Sequence, residues 1–211
     1  MKKGFTLIEL LIVIAILAVL AGIVIVALNP AELLKQARDG KRMGDLDNLV
    51  TALNLYLVDV SSPDLCIGTA CSAGADCGCA DISTHSGICT ATTTVTSVKI
   101  FNNSAGAQSP CGWTSTSTTV NGTGWVDVNF GSISGGSPLA VLPLDPTNSD
   151  PYLYAYKATT SPNLYFELNT RLESEKHRGK MENDGGNRNS CTTYLEETCW
   201  YEKGSKPGLD L

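Results

Sequence analysis

The sequence lacks the residue patterns of a catalytic site and of a nucleic-acid-binding surface. No nucleophile, base and acid occur at a recognisable spacing, and neither a phosphate-binding glycine loop nor a recognisable carboxylate pair is present. No stretch combines basic residues with aromatic ones, and the net charge is −6, which disfavours general nucleic-acid binding. We therefore expect no enzyme and no general binding of nucleic acid.

Cysteine is absent from the first part of the chain, and histidine is scarce throughout. The first cysteine is Cys66, whereas a lipoprotein needs a cysteine close to the end of its leader. The only histidines are His85 and His177, and paired C-x-x-C motifs are missing. A zinc site around Cys77, Cys79 and His85 is therefore disfavoured, and disulfides are the preferred interpretation.

Charge is almost absent between Phe5 and Leu28. Glu9 is the only ionisable side chain among these 24 residues, which follow Lys2 and Lys3. A helix of that length spans ~36 Å at ~1.5 Å per residue, which exceeds the ~30 Å of a hydrocarbon core. The two lysines favour a cytoplasmic N-terminus. We predict a membrane-spanning helix with the bulk of the chain outside.

Glu9 distinguishes this block from an ordinary anchor or signal peptide. A lone carboxylate in hydrocarbon costs a few kcal/mol, so it either stays at the interface or finds a partner. A secretory signal peptide has a shorter apolar core, of about 7–15 residues, and a small-x-small cleavage site. The run Ala18-Val19-Leu20-Ala21 misses that spacing, so signal-peptide cleavage is disfavoured.

The run Lys3-Gly4-Phe5-Thr6-Leu7-Ile8-Glu9-Leu10-Leu11 resembles the N-terminus of type IV pilins and type II secretion pseudopilins. The resemblance implies that prepilin peptidase cleaves after Gly4 and that the new amine of Phe5 is methylated. It also implies that Glu9 neutralises the Phe5 amine of a neighbouring subunit during filament assembly. Two opposite charges that are each costly in hydrocarbon become tolerable as a pair.

A stem helix is predicted to follow the membrane segment. Asn29-Pro30 predicts a kink or a helix break, although residues 5–60 together are expected to form one long helix of about 80 Å. Apolar residues recur at spacings of three and four and form one stripe: Leu46, Leu49, Val50, Leu53, Tyr56, Leu57 and Val60. The charged residues of the stem, among them Arg38, Asp39 and Arg42, are expected on a solvated face or in salt bridges between subunits.

Eight cysteines follow the stem: Cys66, Cys71, Cys77, Cys79, Cys89, Cys111, Cys191 and Cys199. They predict an oxidising compartment and up to four disulfides, and the sequence does not choose among the possible connectivities. We expect the loop from Cys66 to Cys89 to be closed within itself and Cys191 to pair with Cys199. A short strand is expected at 95–101 inside this cysteine-, serine- and threonine-rich region.

Alternating segments at 125–130, 152–157 and 164–168 predict short antiparallel strands whose apolar face packs on the stem. The expected fold class is α+β, a long N-terminal transmembrane helix packed on a small antiparallel sheet with a disulfide-rich loop insertion. The run Leu142-Pro143-Leu144-Asp145-Pro146, followed by Pro151-Tyr152-Leu153-Tyr154, is similar to pseudopilin heads and is a second resemblance to the same family.

Asp145, Asp150 and Asp184 are weak calcium candidates. Asp184 lies in a run of acidic and amide side chains around glycines at 182–187, but this run does not fit an EF-hand loop. The resemblance adds that major pseudopilins have a calcium site in their C-terminal loop. A plain solvated loop is the alternative, and we expect no metal or other cofactor beyond this calcium possibility.

Two tripeptides, Asn102-Asn103-Ser104 and Asn121-Gly122-Thr123, match the N-glycosylation pattern. Matches of this kind arise often by chance, so the pattern alone assigns no modification.

Together these features predict a filament subunit with five segments: a leader at 1–4, a membrane or filament-core helix at 5–28, a stem at 29–60, a loop insertion at 61–124, and a sheet with a C-terminal disulfide loop at 125–211. The resemblance implies a type IV pilus or a type II secretion pseudopilus. The implied partners are copies of the chain itself, other pilins, prepilin peptidase and an inner-membrane assembly platform.

The expected location is the bacterial inner membrane, crossed once with the C-terminal domain outside, and after assembly a cell-surface or periplasmic filament. One alternative is a monomeric, membrane-tethered binding or adhesin domain that never polymerises. A pilin for DNA uptake is disfavoured, because the basic residues of the head are scattered or mixed with acidic ones.

Overall fold

A computed structural model of the chain describes residues 4–65, 88–90, 101–102, 108–109, 113–159, 164–186, 191 and 199–205. Two helices begin the fold, α1 at Leu7–Leu28 and α2 at Pro30–Asp59. The head contains strands β1 to β7, the short helix α3 and two 3₁₀ turns. The strands β1 to β7 are, in order, Ile88–Cys89, Phe101–Asn102, Gln108–Ser109, Trp113–Thr114, Tyr154–Ala158, Phe166–Thr170 and Tyr201–Gly204. Helix α3 spans Arg178–Glu182, and the two 3₁₀ turns span Phe130–Ser132 and Glu175–His177.

Asn29 separates the two helices. It adopts the left-handed conformation, with φ 39° and ψ 74°, and its carbonyl accepts from the N–H groups of Glu32 and Leu33 at 3.0 and 3.3 Å. Pro30 occupies the first turn of α2, where its missing N–H costs no helical hydrogen bond. The predicted helix break is confirmed, and the expectation of one helix over residues 5–60 is wrong, because a proline ring is not accommodated inside an uninterrupted helix.

The stem stripe forms the helical half of the core. Leu46, Leu49, Leu53 and Tyr56 are buried, while Val50, Leu57 and Val60 are partly buried against the same cluster. Three- and four-residue spacing places these side chains on one face of α2, which packs on the sheet. The stripe predicted from the sequence is confirmed.

The main sheet has five strands in the order β4-β1-β5-β6-β7. Strands β1, β5, β6 and β7 are antiparallel neighbours, whereas β4 runs parallel to β1 at the edge, and β2 and β3 form a separate pair. The α+β class is confirmed. Two strands of the main sheet, β1 and β4, come from residues 61–124, so the sheet extends into the segment expected to be a loop insertion.

Two of the predicted strands exist, each shifted by about two residues: 152–157 corresponds to β5 and 164–168 to β6. The strand predicted at 125–130 is wrong. Trp125, Val126, Val128 and Phe130 are all buried in an irregular segment, although a half-buried strand would expose alternate residues. For the strand expected at 95–101, residues 95–100 lie outside the described residues, and Phe101 begins β2.

The C-terminal disulfide is present, because Cys191 and Cys199 are bonded to each other, as predicted. Cys89 is also disulfide-bonded, and its partner lies outside the described residues. The remaining cysteines, Cys66, Cys71, Cys77, Cys79 and Cys111, themselves lie outside the described residues. The expectation of a loop closed between Cys66 and Cys89 therefore stays a prediction.

The stem stripe generates a stability prediction. L53A removes a fully buried side chain and is expected to lower the free energy of unfolding by about 2–5 kcal/mol, because it leaves a cavity between α2 and the sheet. L55A changes a residue two positions away that is 43 % exposed, and its effect should stay within about 1 kcal/mol. Urea unfolding of the full chain in detergent measures both, and equal losses would contradict the assigned helix face.

Candidate assembly site

The N-terminus of α1 is closed by a reciprocal pair of hydrogen bonds between Thr6 and Glu9. The N–H of Glu9 donates to Thr6 Oγ1 at 3.3 Å, and the N–H of Thr6 donates to Glu9 Oε2 at 2.8 Å. This is a capping box, which satisfies two of the backbone donors that a helix leaves open at its start. This role of Glu9 is not among the expectations drawn from the sequence above, although the Thr-x-x-Glu spacing before an apolar run signals it.

The two hydrogen bonds that Glu9 accepts converge on one carboxylate oxygen. Thr6 Oγ1 donates to Glu9 Oε2 at 2.7 Å, beside the backbone bond to the same atom. Within the part of the chain that the structure describes, no hydrogen bond reaches Oε1. Glu9 thus has one oxygen fixed by its own helix and a second oxygen open to a donor from another molecule.

The described side chains of α1 are not packed against the rest of the subunit. The span Leu7–Ile25 has a mean hydropathy of 3.1 and none of it is buried, which is unlike the core helix of a soluble domain. Phe5, at the predicted cleavage point, is 88 % exposed. Helix α1 is the one helix in the described ranges that is long and apolar enough to cross a membrane. An apolar surface of this extent is stable only in a bilayer or against other protein chains.

Comparison with known proteins decides what this N-terminal arrangement is. The chain carries the prokaryotic N-terminal methylation motif. The family model matches residues 1–25, which include Gly4, Phe5 and Glu9, and this motif is the signature of type IV pilins and pseudopilins. No curated protein and no solved structure matches the chain. The methylation motif confirms the resemblance seen in the sequence.

The stem is joined to the head by a group of charges, here called the ionic cluster, in which Arg38 is partly exposed and the other four residues are buried: Arg38, Asp39, Arg42, Asp145 and Glu173. Arg42 is fully buried at its centre. Its Nε and Nη2 donate to the two oxygens of Asp145 at 2.6 and 3.0 Å, and its Nη1 donates to Asp39 at 3.0 Å and approaches Glu173 Oε1 at 2.6 Å. One guanidinium therefore links three carboxylates from three parts of the chain.

Asp39 connects α2 to the segment that follows β6. Its Oδ1 accepts from the N–H of Glu173 at 2.8 Å, and its Oδ2 accepts from the N–H and the hydroxyl of Ser174 at 2.8 and 2.6 Å. Arg38 donates through Nε and Nη2 to both oxygens of Glu173 at 2.8 and 2.5 Å. These bonds come from one turn of α2. They therefore fix the position of the stem along the head as well as the distance between stem and head.

Paired charges favour the ionised forms of Arg42 and Glu173. Burial alone would raise the pKa of Glu173, but hydrogen bonds from Arg38 and Arg42 hold it below its ordinary value. Burial alone would lower the pKa of Arg42, and the opposing carboxylates of Asp145 and Glu173 raise it above its ordinary value. From the sequence alone, these stem charges are expected on a solvated face or in salt bridges between subunits. For Arg38, Asp39 and Arg42 that expectation is wrong, because the head supplies their partners.

The three calcium candidates, Asp145, Asp150 and Asp184, have different surroundings. Both oxygens of Asp145 are used by Arg42, while Asp184 accepts from the N–H groups of Gly186 and Glu202 at 2.9 and 2.8 Å. Asp150 precedes Pro151 in a turn. Within the described ranges, no group of three or more His, Cys, Asp or Glu side chains is arranged to hold a metal ion. These contacts give Asp145 and Asp184 structural roles.

Removing the central cation tests the ionic cluster. R42M should lower the free energy of unfolding by about 3–5 kcal/mol, because it leaves buried carboxylates without their common partner. The neighbouring K41M removes an exposed cation and should change it by no more than about 0.5 kcal/mol. Urea unfolding of both variants in detergent provides the measurement. An R42M protein as stable as K41M would show that the cluster contributes nothing.

The lowered pKa of Glu173 predicts a pH dependence. Its carboxylate takes up a proton at lower pH in the folded chain than in the unfolded chain, so its contribution to stability is lost as the pH falls below about 4.5. E173Q removes this contribution, and its free energy of unfolding should fall less steeply with acidification than that of the parent. E182Q, at an exposed position, should follow the parent curve. Parallel curves for all three proteins between about pH 3 and pH 6 would refute the assignment.

Proposed function

We propose that the chain is a structural subunit that polymerises into a type IV pilus-like or type II secretion pseudopilus filament after prepilin peptidase removes residues 1–4. One observation carries the proposal: the methylation motif leads directly into an exposed apolar helix whose single charge is Glu9. A structural role also fits the absence of catalytic residue patterns in the sequence.

The apolar surface of α1 restricts where the subunit can reside. In the membrane, lipid covers the exposed side chains of α1; in a filament, the α1 helices of other copies cover them. Both environments remove the same apolar surface from water, at roughly 25 cal/mol per Å², so the transfer between them does not expose the helix. The subunit can leave the bilayer only when another copy replaces the lipid.

Glu9 supplies the specificity of the proposed contact. After cleavage, the methylated amine of Phe5 is a cation at the edge of hydrocarbon, and Glu9 Oε1 of another copy is an open acceptor for it. The bonds from Thr6 hold the carboxylate in place through its other oxygen. When one copy supplies Phe5 and the next supplies Glu9 without a reciprocal bond, the contact is heterologous, and a heterologous contact that does not close into a ring produces a helical polymer.

The ionic cluster is proposed to carry the head along with the stem. It ties the first half of α2 to the head through buried bonds, so that a force on the helix is transmitted to the sheet. The proposed partners are other copies, other pilins, prepilin peptidase and an inner-membrane platform. The proposed location is the inner membrane with the head outside, followed by a surface or periplasmic filament.

The first experiment identifies the N-terminal residue and the mass of the chain recovered from cells with and without prepilin peptidase. We expect N-methylated Phe5 with the peptidase and Met1 without it. A chain that retains Met1 in both cells, or one cut after Ala21, would refute processing and favour the monomeric tethered domain.

The second experiment separates the charge of Glu9 from its capping role. E9Q keeps an oxygen that accepts from Thr6 but removes the charge, so we expect normal cleavage and at least about tenfold fewer sheared filaments, since an unpaired charge in hydrocarbon costs a few kcal/mol. E182Q on α3 should form filaments as the parent does. Normal filament yield from cleaved E9Q would show that Glu9 acts only as a helix cap.

A further inference from the structure

The segment 117–124 carries an ordered row of hydroxyl groups that neither the fold nor the proposed function explains. Ser117 Oγ lies 3.1 Å from Thr119 Oγ1, which lies 2.8 Å from Thr123 Oγ1. Thr123 Oγ1 donates to the side-chain carbonyl Oδ1 of Asn121 at 2.7 Å. All four residues are at least partly exposed. We call this row the hydroxyl chain.

The proton direction along the hydroxyl chain follows from its end point. Oδ1 of Asn121 is an acceptor only, so the single hydroxyl proton of Thr123 points to it. Thr119 must then donate to Thr123, and Ser117 must donate to Thr119. Hydrogen bonds aligned in this way polarise one another, and the effect accumulates on Oδ1 of Asn121.

The oxygen and the nitrogen of the Asn121 side-chain amide therefore differ in their hydrogen bonds. Its Oδ1 accepts from the Thr123 hydroxyl and from the Thr123 N–H at 3.3 Å. Its Nδ2 makes no hydrogen bond within the described ranges, and the residue is exposed. Donors on the oxygen stabilise the negative charge that the amide acquires when Nδ2 loses a proton, and that proton loss frees the nitrogen lone pair for attack.

The backbone holds this arrangement in place. Asn121 pairs with Asn129 in a β-bridge, and Gly122 has a positive φ of 86°, which turns the chain between Asn121 and Thr123. A Cβ at Gly124 would collide with the carbonyl oxygen of Thr119, so glycine permits the close approach of the two segments. The geometry around Asn121 is thus part of the folded head.

We propose that Asn121 is a glycosylation site whose Nδ2 accepts a sugar from a lipid-phosphate-linked donor. In the transfer, Nδ2 attacks the anomeric carbon and a C–N bond forms while the bond from that carbon to the phosphate oxygen breaks. The lipid phosphate leaves with the electron pair, and a base of the transferase takes the amide proton. The tripeptide Asn121-Gly122-Thr123 supplies the acceptor pattern. The hydroxyl chain distinguishes it from a chance match, because it directs donors at the atom that must carry charge.

The test uses the full chain purified in detergent, a lipid-linked oligosaccharide, and a transferase chosen because it modifies a peptide of residues 117–125. Peptide mass spectrometry should find the sugar on Asn121. N121Q and T123V should lose it completely. This experiment requires neither filament formation nor leader cleavage, so its outcome is independent of the proposed function.

A matched pair of variants tests the hydroxyl chain itself. T119V keeps the tripeptide but removes one donor, and should slow the modification roughly two- to fivefold, the effect expected for one net hydrogen bond. T118V removes the adjacent hydroxyl, which makes no hydrogen bond among the described residues, and should match the parent. The same changes in the peptide should have no effect, because the hydroxyl chain depends on the fold.

Three results would overturn the proposal. The first is an unmodified folded chain under conditions that modify the peptide. The second is sugar found only at Asn102. The third is conversion of Asn121 to aspartate or isoaspartate without sugar, which is the spontaneous chemistry of an exposed Asn-Gly pair.

Discussion

The guanidinium of Arg42 is the interaction on which the arrangement of stem and head depends. It lies fully buried among Asp39, Asp145 and Glu173, which come from α2, from the segment before β5 and from the segment after β6. A buried ion group contributes less to stability than its number of contacts indicates, because desolvation offsets much of the attraction. Its strength lies in specificity: a stem shifted by one turn would leave Arg42 and its carboxylates without partners. The apolar stripe alone would tolerate such a shift better than the ionic cluster does.

Helices α1 and α2 are consecutive in the chain but differ in where their apolar side chains are buried. The stem helix α2 buries its stripe inside the subunit, whereas α1 buries none of its described side chains there. Asn29 and Pro30 lie at the boundary between the exposed helix α1 and the packed helix α2. Glu9 extends the contrast, since the capping box occupies one carboxylate oxygen and no hydrogen bond from the described residues reaches the other. Among the described residues, the head therefore buries its own core and α1 does not, which is the condition that the proposed filament requires.

Much of the fold followed from local patterns. The membrane helix, the break at Pro30, the stem stripe and the pair Cys191–Cys199 were predictable, because each depends on residues close together in the chain. The failures concern long-range partners. The alternation at 125–130 predicted a strand, yet both sets of side chains there are buried against other segments, and no local signal reveals that. Strands β1 and β4 have two residues each, too short for a periodic pattern, and they join the sheet because β5 offers them an edge.

The sequence by itself determined the features of the N-terminus, because the methylation motif, the capping box and the apolar helix depend on Thr6, Glu9 and an unbroken apolar run. Only the tertiary structure decided the roles of the charges beyond Pro30. Arg38, Asp39 and Arg42 read as ordinary surface residues of a helix, and their partners at 145, 173 and 174 lie more than a hundred residues away. Electrostatic attraction depends on the distance between two charges in space, and the number of residues between them does not reveal that distance. The role of these charges can therefore be recognised only in the folded chain.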